Sequence, residues 1–561
     1  MSSPLPSRSR RKRKKSLLPK IILCCIAFML LVIGGLGLYQ ARRFFPYPPI
    51  FAILGIENWQ VWEFHDYFGL DPNEISVVIE DQRLRDLAQP PVMINNEIYL
   101  PASFVREHID PFIFWDEGAQ SLFVSTDTEI IRLPGSQMVP LNFLQERYSD
   151  NFSLEHHPEH NIVVISEIYG MVRASLTTRR TAIRYLPNNT AFISKRLERD
   201  TLVTIYNTVG DFVRVRSQEG LLGYVPASDL EFSVPWQAAI APPPQPLHPS
   251  PRINLSWEMI TAPQGNITAM NNPLPEGLTV ISPTWFNFDP YNLDGTIISF
   301  ASREYVDWAH SQGVKVWAKA FDSNRDISHA ILTNYRARQF AITQLIQFVQ
   351  VYNLDGININ FEHVRSTDGG YYLQFLRELA VEMRRIGSTL SVATFVPAPW
   401  FSHYHHKLVG QTVDFVAIMT YDEHYSGSVE PGPVASLSFV DHFISQTLEL
   451  IPREKVLMGL PLYNRLWHVA SDGSHTISNT GMARPWSLVE EWGITPEWDA
   501  IVGSYYANFE GEYTTYRIWI ECDRSIAEKM NIFTEHNLAG VASWRRGLET
   551  PGVWAAIATQ L

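Results

Sequence analysis

Residues 354–362 read Leu-Asp-Gly-Ile-Asn-Ile-Asn-Phe-Glu, and the alternation within them decides the fold. Side chains on a strand point to opposite faces in turn, so Ile357, Ile359 and Phe361 share one side and Asn358, Asn360 and Glu362 the other. The apolar side suits covering helices. A row of polar side chains on a buried strand is costly unless each finds a hydrogen-bond partner. The interior of a closed parallel barrel can supply such partners, and its strands end, at their C-terminal tips, where barrel enzymes keep their chemistry. Glu362 stands at that tip.

Seven further runs of the same buried character surround this one: 253–261, 278–283, 314–321, 390–396, 413–421, 455–463 and 538–544. Helix-patterned segments intervene at Ser299–Gln312, Ser328–Tyr352, Tyr371–Ile386, Val434–Leu450 and Ser525–His536. Near-continuous apolar strands with helical crossovers predict an α/β fold, a (β/α)8 TIM barrel over residues 252–561. An open doubly wound sheet is the competing architecture, and its glycine-rich phosphate turn is missing. Residues 464–537, too long for a simple crossover, predict an α+β insertion between strands seven and eight. The insertion is rich in Trp and Tyr, most of them expected in its own core and the remainder available to stack on sugar rings. Trp285 and Trp317 are read equally as groove lining and as core.

The strand-four run resembles the signature of glycoside hydrolase family 18, the chitinases and related N-acetylglucosaminidases, whose pattern is Asp-x-x-Asp-x-Asp-x-Glu. Asp355 and Glu362 match its ends, while Asn358 and Asn360 replace the two inner Asp residues. Met419-Thr420-Tyr421-Asp422 resembles the family's Met-x-Tyr-Asp, and Trp544 ends strand eight where the family keeps a tryptophan under the scissile sugar. The resemblance implies a substrate-assisted retaining mechanism, an exception to the usual pair of carboxylates. It assigns Glu362 as acid and then base, with a pKa expected to be raised by burial. It places Asn360 on the acetamide N–H, Tyr421 on the acetamide oxygen and Asp355 in the catalytic set. Trp544, Asp422, Met419, Asn358, Tyr463 and Trp285 form the expected substrate-binding set. Asn360 can accept a hydrogen bond but carries no charge, so a slow or specialised hydrolase is expected, and a non-catalytic glycan-binding scaffold is the alternative. The substrate class implied is a β-1,4-linked N-acetylglucosamine glycan, peptidoglycan above chitin-like polymers.

Residues 241–251 hold six prolines in a stiff spacer, within a linker set at 233–251. Before it, residues 73–167 resemble the N-terminal domain of copper amine oxidases, without implying copper, and 168–232 resemble a bacterial SH3-like barrel that binds wall material or only spaces the enzyme. Residues 1–20 read as a basic tail. The uncharged run 21–39 is long enough to cross a bilayer, which predicts a single-pass anchor with the body outside the cell; a cleaved signal peptide is the alternative. Ten of the 45 Lys and Arg lie in residues 1–43, which lack Asp and Glu, leaving the rest at a formal −23. A body so acidic argues against nucleic acid as a partner. Cys24, Cys25 and Cys522 are the only cysteines, which leaves the body without a disulfide pair. His156, His157 and His160, like His403, His405 and His406, read as solvated loops, so neither metal nor cofactor is expected.

Overall fold

The computed structural model describes residues 73–231, apart from 80, 81, 85, 86, 159, 168–172, 192 and 219, and residues 252–561. Of the first 72 residues it describes only Met29 and 32–34. Among the described residues no helix is long and apolar enough to cross a membrane, which corrects the expected single-pass anchor and surface localisation. The expectation rested on the length of an uncharged run and the Lys and Arg around it, whereas a span needs about 20 residues in one continuous helix. Most of run 21–39, together with the basic tail and the linker, lies outside the described residues.

The chain divides into two compact units, Met1–Phe104 with Met138–Pro243, and Val105–Gln137 with Pro244–Leu561. In the first, a four-stranded sheet (82–83, 76–79, 162–167, 152–157) and strands 92–94, 97–101 and 138–140 precede a seven-stranded antiparallel sheet over 173–231. His156 and His157, expected on a loop, instead close strand Phe152–His157, because Ile162–Glu167 pairs with it in register.

The second unit is built on eight parallel strands: β1 (Ile253–Glu258), β2 (Val280–Pro283), β3 (Lys315–Phe321), β4 (Gly356–Asn360), β5 (Thr389–Thr394), β6 (Phe415–Ile418), β7 (Val456–Pro461) and β8 (Gly540–Trp544). They pair in the cyclic order 2-1-8-7-6-5-4-3, and β2 pairs with β3, so the sheet closes. Ile357, Ile359 and Phe361 pack outwards into the core shared with the helices, as their alternation predicts. Leu255, Trp257, Trp317, Ala393, Ala417 and Leu457 fill the barrel. The single helix expected over Ser328–Tyr352 is two, Arg325–Thr333 and Tyr335–Tyr352. Asn334 separates them in extended conformation, its side chain accepting from the amides of Arg336 and Ala337; Asn caps a helix better than it continues one.

Between β7 and β8 lies a five-stranded antiparallel sheet with helix Arg484–Trp492, and Trp486, Trp492, Tyr505 and Tyr516 pack into its core. Segment Val105–Gln137, read in sequence as part of the 73–167 domain, groups with the barrel. Its Asp116 pairs at 2.5 Å with fully buried Arg338, which also binds Glu378 at 2.8 Å, and Phe114 meets Tyr371 edge-on at 4.9 Å.

Candidate active site

The C-terminal ends of the strands surround a cavity of about 220 Å³. Asn360, Glu362, Met419, Tyr421, Asp422, Tyr463 and Trp544 all line it, so residues spread over 185 positions of sequence meet as the alternation and motifs require. Trp257, Lys319, Ala393 and Phe395 complete the wall.

Glu362 follows β4 by two residues and is held through its backbone. The amides of Glu362 and His363 donate to Asp322 at 2.9 and 3.0 Å, and Asp322, just past β3, also accepts from Ser328 and contacts His363 Nδ1 at 3.1 Å. Asp322 thereby pins the acid-bearing loop to the neighbouring strand. The hydrogen bond to Asp322 raises the His363 pKa, partly opposed by burial. The Glu362 side chain is exposed to the cleft, not buried as expected, because the chain leaves the barrel at this point.

Asn360 is 2% exposed and donates through Nδ2 to Ala393 O at 3.3 Å, leaving Oδ1 without a partner among the described residues. Tyr421 is buried, and burial, Asp422 and Glu362 together hold its pKa far above the ordinary value, so its hydroxyl is a neutral donor. Tyr463 Oη and Arg465 Nη2 both donate to Asp422 Oδ1, at 2.5 and 2.7 Å. That clamp holds Asp422 at φ 61°, a conformation uncommon outside glycine and often found at functional sites. Trp544 is half-buried across the cavity floor, with Trp257 5.8 Å away.

Three expected site residues lie elsewhere. Asp355 immediately precedes β4 at the opposite end of the barrel, roughly 20 Å from Glu362 at about 3.3 Å per residue. There its carboxylate accepts from Val316 N at 2.8 Å and meets His310 at 2.7 Å, closing a strand end rather than touching the cavity. Asn358 is fully buried below the cavity, accepting from Trp257 Nε1 and donating to Ser391 Oγ, both at 2.9 Å. Trp285 is also fully buried, its Nε1 bonded to Asn266 and its ring against Tyr305, because the chain after β2 folds back onto the outer helices. Trp317 fills the barrel, stacked on Phe415. His406, expected on a loop, is buried at the start of helix His406–Thr412, bonded to Phe395 O.

The sequence reading passed over Asp322 and Lys319. Lys319 sits on β3 two residues after Trp317, on the same inward face, so the alternation applied to β4 would have found it. Among the described residues no three His, Cys, Asp or Glu side chains converge as a metal-binding group. A larger cleft of about 1210 Å³, lined by Glu258, Arg545, Arg546 and Trp554, has its central charges already engaged, Arg546 with Glu258 and with the carbonyl of Asn272.

Residues 277–549 match the family model of Glycosyl hydrolases family 18. The chain is 27% identical over 304 residues to the uncharacterized glycosylase YvbX of Bacillus subtilis, covering 52% of this chain and 88% of that one. It is 27% identical over 238 residues to the cortical fragment-lytic enzyme of Bacillus anthracis, covering 41% of this chain and 55% of that one. A solved C-terminal domain from Desulfitobacterium hafniense DCB-2 shares the fold at 21% identity and a TM-score of 0.50, covering 55% of this chain and 99% of that domain.

Proposed function

The barrel of this chain belongs to glycosyl hydrolases family 18, and from that premise we propose a glycoside hydrolase that cleaves β-1,4-linked N-acetylglucosamine glycans of peptidoglycan by substrate assistance. The observation that carries the proposal is the convergence of Glu362, Asn360, Tyr421 and Trp544 on one cavity at the strand ends. The name of the Bacillus anthracis relative, a cortical fragment-lytic enzyme, supports peptidoglycan over chitin.

In this mechanism the substrate's acetamide oxygen attacks its own anomeric carbon while Glu362 protonates the departing glycosidic oxygen. Tyr421 donates to the acetamide oxygen, Asn360 Oδ1 accepts from the acetamide N–H, and Trp544 supports the ring. Glu362, now a carboxylate, takes a proton from water as the water attacks the same carbon and opens the cyclic intermediate with retention. Asp422, held by Tyr463 and Arg465, orients Tyr421 and the incoming groups. Residues 73–167 and 168–232 are proposed as accessory modules of this enzyme. New reducing ends from purified peptidoglycan are the direct test; none from any acetamido glycan sinks the proposal.

Replacing Tyr421 by Phe removes a donor that burial keeps protonated. The expected result is a fall of about 100-fold in kcat with little change in KM, the size found for one well-placed donor. An unchanged kcat removes Tyr421 from the mechanism.

The scaffold reading draws on Asn360, which offers no charge to a developing cation. The Asn360→Asp exchange separates the two. It gives up the hydrogen bond to Ala393 O but places a carboxylate near Lys319 and the reacting carbon. A gain of roughly 10- to 100-fold in kcat is expected on acetamido oligosaccharides. Tight binding without turnover in both forms favours the scaffold.

A further inference from the structure

Lys319 is 7% exposed, yet it lines the same cavity as Glu362, Asn360 and Tyr421. Its Nζ stands 4.5 Å from the centre of the Trp544 ring and 5.6 Å from that of Phe321. Among the described residues it forms neither a hydrogen bond nor an ion pair within 4 Å. The acids around it are engaged elsewhere. Asp422 is bound by Tyr463 and Arg465, and Asp322 by two amides, Ser328 and His363. Glu362 makes no ion pair with Lys319 and acts on it only through space. Burial pulls the Lys319 pKa down to about 8 while Glu362 and Asp322 pull it back up, so the side chain is largely an ammonium at neutral pH.

A buried ammonium that makes no direct ion pair is costly, and in a cleft it is a candidate to be completed by an anionic ligand. A neutral acetamido polymer offers the ammonium hydroxyl and carbonyl oxygens but no opposite charge. A sugar bearing a carboxylate offers the missing partner, and the cation–ring contact with Trp544 fixes the ammonium beneath the sugar in the meantime.

We propose that Lys319 is a specificity-determining residue that receives a carboxylate carried by the glycan, so that the cleft selects anionic acetamido saccharides over neutral ones. The inference rests on the reading of this cavity as the glycan site and sharpens its substrate class. The carboxylate has two chemical sources, the lactyl ether of an N-acetylmuramoyl unit and the acid group of a uronate.

Binding to the full chain carrying Glu362→Gln, measured by calorimetry at pH 7, tests it without interference from cleavage. The probes are an N-acetylglucosaminyl-N-acetylmuramoyl tetrasaccharide, an N-acetylglucosaminyl-glucuronate tetrasaccharide and the carboxyl-reduced form of each. At least a tenfold preference for one acid over its reduced form is expected, and the acid that shows it identifies the source. Adding Lys319→Met should bring that ratio to about one, and Lys319→Arg should keep most of it. Equal affinity for acid and reduced forms, or a preference that survives Lys319→Met, overturns the proposal. If Lys319→Met does not fold, the acid-to-reduced ratio and the Lys319→Arg variant decide. The two readings fail separately: wild-type chain that releases no reducing ends while preferring the acid ligand sinks the hydrolase. Equal turnover and equal binding of acid and reduced glycans sink only the role of Lys319.

Discussion

Exchanging Glu362 for Gln is expected to lower kcat on acetamido glycans by about 10,000-fold while leaving KM within a few fold. Two steps lose their proton carrier at once: the amide can neither protonate the leaving oxygen nor deprotonate the incoming water. General acid–base assistance is worth about 100- to 10,000-fold in rate, and the upper end applies where one group serves both steps. The fold should not suffer, because the loop is held by the backbone amides of Glu362 and His363 on Asp322 and the side chain itself is exposed. Steady-state kinetics on a defined oligosaccharide, with circular dichroism as a control, measures the effect. Turnover within tenfold of wild type places the acid elsewhere.

The second large effect concerns stability. Burial lowers the Lys319 pKa from 10.5 to about 8, against the pull of Glu362 and Asp322. That depression corresponds to a folding cost on the order of 3 kcal/mol, at about 1.4 kcal/mol per pKa unit. The sign follows from proton counting. Between about pH 8 and 10.5 the unfolded chain binds a proton at Lys319 that the folded chain does not, so wild-type stability rises with pH across that window. Below about pH 8 both states are protonated and the cost is paid in full. Lys319→Met should therefore stabilise the barrel at pH 7 by on the order of 3 kcal/mol, and the gain should vanish near pH 10.5. Urea unfolding followed by tryptophan fluorescence at pH 7 and 10 measures both numbers. A variant no more stable than wild type at pH 7 shows that the ammonium is solvated or paired. Stability sacrificed at one residue that lines a cleft is the trade expected where function needs the charge.

The parts of this molecule legible in the sequence are those set by local periodicity. Alternation along 354–362 placed Ile357 and Ile359 outside and Asn360 and Glu362 at the cavity, because a strand allows each side chain only two directions. The same rule reaches Lys319, which lay unread in a run whose other inward residue, Trp317, looks like ordinary core. Non-local packing was not legible. Nothing local in 105–137 announces that Asp116 will meet Arg338, more than two hundred residues away. Asp355 was grouped with Glu362 because they share a short motif, yet a strand carries its two ends to opposite faces of the barrel, and the structure uses Asp355 to close the lower one. Trp285 shows the limit for aromatic residues, since a ring suited to stacking on sugar is equally suited to a buried contact with Tyr305. The break at Asn334 lies between, visible as a capping residue only after the extended backbone is seen.

The central claim is that the substrate supplies the nucleophile and Glu362 the only proton. One glycan preparation, divided into N-acetylated and chemically N-deacetylated halves and incubated with the wild-type chain, tests it most directly. Reducing ends should appear from the acetylated half and be absent from the other; equal release from both would contradict the mechanism.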